Sequence, residues 1–180
     1  MKKKSILIVF LAITIITFVL VFRYFNLKEY NIEFSKSSME KFLTEKIERR
    51  PIEFIQMKEL EETNTVLFQF KYTDGNLGYA HFEKGKNKKV KFISSNSVPE
   101  ITYQEFDTNN GLYGVILGKN DNLNISSIKA ELSSENMYSF IVDVSGSDYF
   151  IEYSKLPKDI SNTFPAQLTL YDSNNNIIND

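Results

Sequence analysis

The spacing of apolar and polar residues passes through three regimes along the chain. Residues 6–22, ILIVFLAITIITFVLVF, are apolar without a break apart from the hydroxyls of Thr14 and Thr17. As a helix this run extends about 26 Å at 1.5 Å per residue, slightly under the roughly 30 Å hydrocarbon core of a bilayer. It lacks the polar face that a buried helix of a globular domain carries. The pattern predicts a membrane anchor over 5–23.

A helical period follows. Ser37-Ser38-Met39-Glu40 reads as a capping box, S-x-x-E. Met39, Phe42, Leu43 and Ile47 make one apolar stripe, with Glu40, Lys41, Glu45, Lys46 and Glu48 turned outward. Pro51 ends this helix. Arg49 and Arg50 read as cations complementing its C-terminal dipole, the alternative being a grip on lipid headgroups or another anion.

After Pro51 the period drops to two. Segments 52–57, 65–72, 77–83 and 89–94 read as strands, with Asp74-Gly75 and then Gly85 and Asn87 as turns, which predicts an antiparallel meander. In the second of them Val66, Phe68, Phe70 and Tyr72 alternate with Leu67, Gln69 and Lys71, giving one apolar face. The polar stretch 94–100, SSNSVPE, reads as a boundary. Beyond it strands are expected at 101–106, 112–117, 127–132, 137–144, 148–153 and 167–171. The last returns through Asn174-Asn175-Asn176 to Ile177-Ile178, and Tyr138, Phe140, Val142 and Val144 should face a core. Short strands at this spacing suggest a sandwich-like or barrel-like unit. The predicted fold is α+β, mostly β. Its order is a cytoplasmic tip (1–4), a transmembrane anchor (5–23), an amphipathic helix with an antiparallel β meander (24–96), and a β-sandwich-like C-terminal unit (97–180).

Charge adds a direction. Lys2, Lys3 and Lys4 precede the apolar run and only Arg23 directly follows it, so the positive-inside rule puts the N-terminus in the cytoplasm and the rest outside the cell membrane. A cleaved secretory signal is the competing reading, but the exit FVLVFRYFNL holds bulky residues where a peptidase needs small ones. A lipoprotein signal needs a cysteine, and the chain has none. Setting aside Lys2, Lys3, Lys4 and Arg23, 17 of the 21 cations remain against 23 carboxylates, a net charge of −6. A nucleic-acid partner, which calls for a basic footprint, is therefore not expected.

Candidate chemistry is sparse. His81 is the only histidine, which removes paired-histidine zinc sites and the H-E-x-x-H device, and no nucleophile motif accompanies it. It reads as a structural or an exposed histidine. Asp172-Ser173-Asn174-Asn175-Asn176 opens like a calcium loop, yet Ile177 stands where the loop needs glycine. There, and at Asn120-Asp121-Asn122 with Asn124, Asx-type turns are the first reading and a weak cation site the second. Glu59, Glu61 and Glu62 give no reason to pair at glycosidase spacing. No catalytic residue, metal ligand or cofactor is assigned. Lys84, Lys86, Lys88, Lys89 and Lys91 form the one dense positive run outside the anchor. They are candidate anion-binding residues for anionic lipid or a wall polyanion such as teichoic acid. The other reading is a solvated turn whose lysines discourage edge pairing.

The start MKKKSILIVFLAITIITFVLVF, the middle VLFQFKYTDGNLGYAHFEKG and the end DYFIEYSKLPKDISNTFPAQLTLYDSNNNII together resemble small single-pass envelope proteins of low-GC Gram-positive bacteria. That resemblance implies no activity and no functional residue. The first expectation is a membrane-anchored, non-enzymatic module that binds a protein partner in the cell envelope. The second is anionic lipid or polyanion binding through the lysine run, and the third a cell-wall hydrolase.

Overall fold

The computed structural model describes residues 2–48, 50–120, 122, 124–133, 137–160 and 165–178, with side chains from residue 10 onward except 25–27. Strand makes up 51% of the chain and helix 20%, so the architecture is α+β and mostly β. Helix α1 (Lys2–Glu29) is continuous over 28 residues. Its apolar side chains stay exposed, Phe10 and Phe18 at 71% and Leu20 at 62%. The Thr14 hydroxyl donates back to the Phe10 carbonyl at 3.0 Å, satisfying the one polar group on that turn. Among the described residues no helix is long and apolar enough to cross a membrane. The described side chains of the apolar run, residues 10–22, cover about 20 Å.

Helix α2 (Lys36–Phe42) starts two residues earlier than expected. Its cap is Ser35, whose extended backbone lets the hydroxyl accept from the Ser38 amide at 3.3 Å, which leaves Ser37 inside the first turn. A π-helical turn, Leu43–Glu48, continues it. Met39 and Leu43 are fully buried, and Phe42 and Ile47 pack beside them.

The strands form three antiparallel sheets. Sheet I holds β1 (Ile32–Glu33), β2 (Ile52–Glu59), β3 (Thr65–Tyr72), β4 (Leu77–Lys84) and β5 (Lys89–Val98) in the order β1-β5-β4-β3-β2. Sheet II runs β10-β7-β6, from β6 (Ile101–Thr108), β7 (Gly111–Lys119) and β10 (Tyr149–Lys155). Sheet III runs β11-β8-β9, from β8 (Ser127–Leu132), β9 (Tyr138–Asp143) and β11 (Ala166–Tyr171). Every strand segment expected from the alternation is present. β1 had no signal because two residues cannot show a period.

Three clusters of buried side chains stack the layers. Met39 and Leu43 of the helical segment meet Val66, Phe68, Phe70 and Phe82 on one face of sheet I. Leu60, Leu67 and Tyr79 on the other side meet Phe106, Val115, Leu117 and Ile151 of sheet II. Sheets II and III enclose the third cluster, which includes Phe140, Val142 and Val144, with Tyr138 packed against it.

Two expectations change as a result. β3 does not have a single apolar face, because sheet II covers the side that reads as half polar: Leu67 and Gln69 are both fully buried. Gln69 is tolerated there since its Oε1 accepts from Gln56 Nε2 at 2.7 Å and its Nε2 donates to the Gly118 carbonyl at 3.1 Å. Strand 89–94 is also longer than expected, since β5 runs on to Val98, and the change from sheet I to sheet II falls at residues 99–100, inside the stretch read as a boundary. β1 pairs only with Lys89 and Val90, so the rest of β5 is an edge, where polar residues belong. Their side chains stitch the sheet: Ser95 Oγ donates to Glu48 at 2.6 Å, Asn96 Nδ2 to the Tyr79 hydroxyl at 3.2 Å, and Ser97 Oγ to the Tyr72 hydroxyl at 3.3 Å.

Candidate functional site

The β4–β5 hairpin carries the five candidate lysines, and folding sorts them into two groups. Lys84 pairs with Glu59. Lys89 reaches Glu33 at 2.9 Å, and Lys91 lies between Glu83 at 3.5 Å and Glu29 at 3.7 Å. Burial opposes the charge on Lys91, but Glu83, the Tyr30 ring and Glu29 outweigh it and raise its pKa above the usual value. Among the described residues Lys86 and Lys88, both exposed at the turn, have no carboxylate partner. The free positive field is thus narrower than the sequence indicates, because the neutralising glutamates come from α1, β1, β2 and β4.

The same hairpin is docked on the exit of α1. Tyr30 donates its hydroxyl to Glu83 at 3.2 Å, and Asn87 Nδ2 donates to the Tyr30 carbonyl at 3.0 Å. Burial first, and then Glu83, push the Tyr30 hydroxyl pKa up. Gly85 makes the close approach feasible: a Cβ there would lie 2.6 Å from the Tyr30 ring. Between helix and hairpin lies a pocket of about 540 Å³ whose walls include Phe22, Arg23, Tyr30, Asn64, Lys86 and Asn87. Arg23, at the end of the apolar run in α1, is the residue that a reading of the lysine run alone leaves out. Arg50 is placed elsewhere: its guanidinium stacks 3.4 Å from the centre of the Tyr72 ring, with Asp74 at 3.8 Å. Arg49 lies outside the described residues.

His81 is 8% exposed and turned toward sheet II, its ring edge-on to Phe106 at 5.2 Å. Its Nε2 is buried with no hydrogen-bond partner among the described residues. Burial lowers its pKa; Glu83 works against this and Lys91 with it. The unfolded chain therefore binds a proton near pH 6.5 that the folded chain resists, so stability must fall as pH drops below about 6.5. Thermal unfolding at pH 5 should have a lower midpoint than at pH 7.5, and His81→Leu should flatten that part of the profile. An unchanged slope in the variant would show that the dependence arises from other groups.

The Asn- and Asp-rich loops are occupied by their own backbones. Asp172 accepts from the Asn174 and Asn176 amides, each at 2.8 Å, and from the Asn176 side chain at 3.0 Å. These bonds, the Asn176 side chain's first, hold its carboxyl below the ordinary range. Asn120 is buried, donating to the Ile125 carbonyl at 2.8 Å and the Val144 carbonyl at 3.2 Å and accepting from the Ile125 amide at 3.0 Å. Asp121 lies outside the described residues. Among the described residues no group of three His, Asp or Glu side chains could hold a metal ion. Glu59 is tied to Lys84 and Glu62 accepts from Asn110 at 3.2 Å, so these two carboxylates face different partners.

A larger cleft, about 970 Å³, is lined from both sheet II and sheet III, by Ile101, Leu168, Leu170 and Ile178 together with polar residues including Lys119 and Asn124. No family model, curated protein or solved structure matches the chain.

Proposed function

We propose that the chain is a single-pass membrane protein, with a cytoplasmic N-terminus and an extracytoplasmic β domain that acts by binding a protein partner in the cell envelope rather than by catalysis. The observation that carries this reading is α1. An apolar helix whose Phe10 and Phe18 are each 71% exposed is unstable in water, and a bilayer is the solvent that covers it on all sides. The described side chains fall short of a full span, but the helix backbone runs from Lys2 to Glu29 and the apolar sequence begins at Ile6, which brings the run to about 26 Å. The shortfall to a full core is small enough for Tyr24 and local thinning to absorb.

Protease added to intact protoplasts should remove most of the chain and leave a short protected fragment. Full protection would overturn the orientation, and release of the protein by alkaline carbonate would overturn the anchor. A second reading, contact with anionic lipid or a wall polyanion, is supported by the place of the lysine hairpin at the exit of α1.

A further inference from the structure

We infer that the pocket between the exit of α1 and the β4–β5 hairpin is a binding site for the headgroup of an anionic phospholipid, a reading that rests on α1 lying in a membrane. Three observations converge on it. First, the pocket's lining combines rings with polar and cationic side chains: Phe22, the last residue of the apolar run, and Tyr30, together with Arg23, Lys84, Lys86, Asn64 and Asn87. A lipid presents a matching combination of surfaces, acyl chain and phosphate, at the hydrocarbon border.

Second, the charges available there are positive and unspent. Lys84, Lys89 and Lys91 are held by glutamates, whereas among the described residues Arg23 and Lys86 have no carboxylate partner. A guanidinium and an ammonium facing one pocket are the groups that bind a phosphodiester, the first by paired N–H donors and the second as a point charge. The side-chain amide of Asn64 adds hydrogen-bonding capacity for the glycerol hydroxyls of a phosphoglycerol headgroup.

Third, the pocket is shaped by fixed contacts. Tyr30 is pinned to Glu83 and to Asn87, and the lack of a side chain at Gly85 seats its ring on the hairpin backbone. The cations therefore face a preformed cavity of about 540 Å³, within the size range of small-ligand sites. A free polyanion such as poly(glycerol phosphate) would meet the same cations but leave the Phe22 wall exposed, so the lipid is the better complement.

The test uses full-length protein in zwitterionic detergent micelles, titrated with short-chain phosphatidylglycerol, short-chain phosphatidylcholine, glycerol phosphate and poly(glycerol phosphate), with binding read by native mass spectrometry. Phosphatidylglycerol should bind best. The double variant Arg23→Gln with Lys86→Gln should weaken it roughly tenfold or more, whereas Lys89→Gln with Lys91→Gln should change it less than about twofold. Arg23→Lys with Lys86→Arg should restore most of the affinity, which a merely structural loss would not allow. Equal binding of phosphatidylglycerol by the wild type and the Gln double variant overturns the site. Equal or tighter binding of poly(glycerol phosphate) by the wild type overturns the lipid in favour of a polyanion. Carbonate release of the wild type from membranes overturns the membrane reading and this site with it, whereas retention combined with unchanged lipid binding in the double variant overturns this site alone.

Discussion

Phe68→Ala is expected to cost about 4 kcal/mol of folding stability, close to the upper range for removing a buried ring. The ring is fully buried in the middle of sheet I, with Phe54, Phe82 and Phe70 at centroid distances of 4.9, 6.3 and 6.5 Å. Phe82 in turn meets Phe92 at 5.7 Å, and Phe92 meets Phe42 of α2 at 5.6 Å. These rings form one line from β2 across the sheet to the helix, so the hole left at Phe68 has rigid neighbours on both sides and closes poorly. Each lost ring pair adds about 0.5–1.5 kcal/mol beyond the area term. Denaturant unfolding of the micelle-held protein, followed by tyrosine near-ultraviolet circular dichroism, measures the effect. A loss under about 1 kcal/mol would mean that the line of rings repacks and is not the rigid element described.

Gly118→Ala is expected to be nearly as damaging, at about 3 kcal/mol, although it adds only one methyl group. A Cβ at this position would lie 2.4 Å from the Glu100 carbonyl oxygen and 2.9 Å from the Ile101 Cα, both backbone atoms that cannot rotate away. That carbonyl also accepts from the Lys119 amide at 2.8 Å, so the start of β6 would have to move and lose this bond. The shift would pull the Gly118 carbonyl from Gln69 Nε2, leaving a buried amide donor at the sheet I–sheet II contact without its partner. Gly75→Ala is the control: nothing lies within 4 Å of its Cβ position, and its cost should be limited to about 1 kcal/mol from the φ of +88°. If the two variants unfold at the same denaturant concentration, the close approach at Gly118 carries no special weight.

Alternation together with the turn residues between segments was sufficient to locate the strands from β2 to β11, even β7, whose Val115, Ile116 and Leu117 are apolar without a break. It could not reveal that β3 is covered twice, since Gln69 and Lys71 look like a solvent face and only Gln56 and Gly118, from other strands, make Gln69 an interior residue. Ser94 to Ser97 hid the end of a strand for the opposite reason, since polar residues there serve the edge of β5 up to Val98. At the candidate site, the lysine run was visible, but its neutralisation was not. Glu29, Glu33 and Glu59 lie far from the hairpin in sequence, and the connection 23–34 gave no hint that it folds back through Tyr30 and β1 to bring Arg23 beside Lys86.

That return through β1 has a mechanical side. Helix α1 joins the β domain through a strand of two residue pairs, Ile32 with Val90 and Glu33 with Lys89, whereas β3 and β4 are zipped over seven. Tension applied along α1 therefore loads the weakest seam first. β1 and Tyr30 would peel from the hairpin while the rest of sheet I stays closed, paying out residues 30–35, about 20 Å of extended chain. The domain would then hang from a slack tether instead of lying against α1, and would reseat when the load is removed.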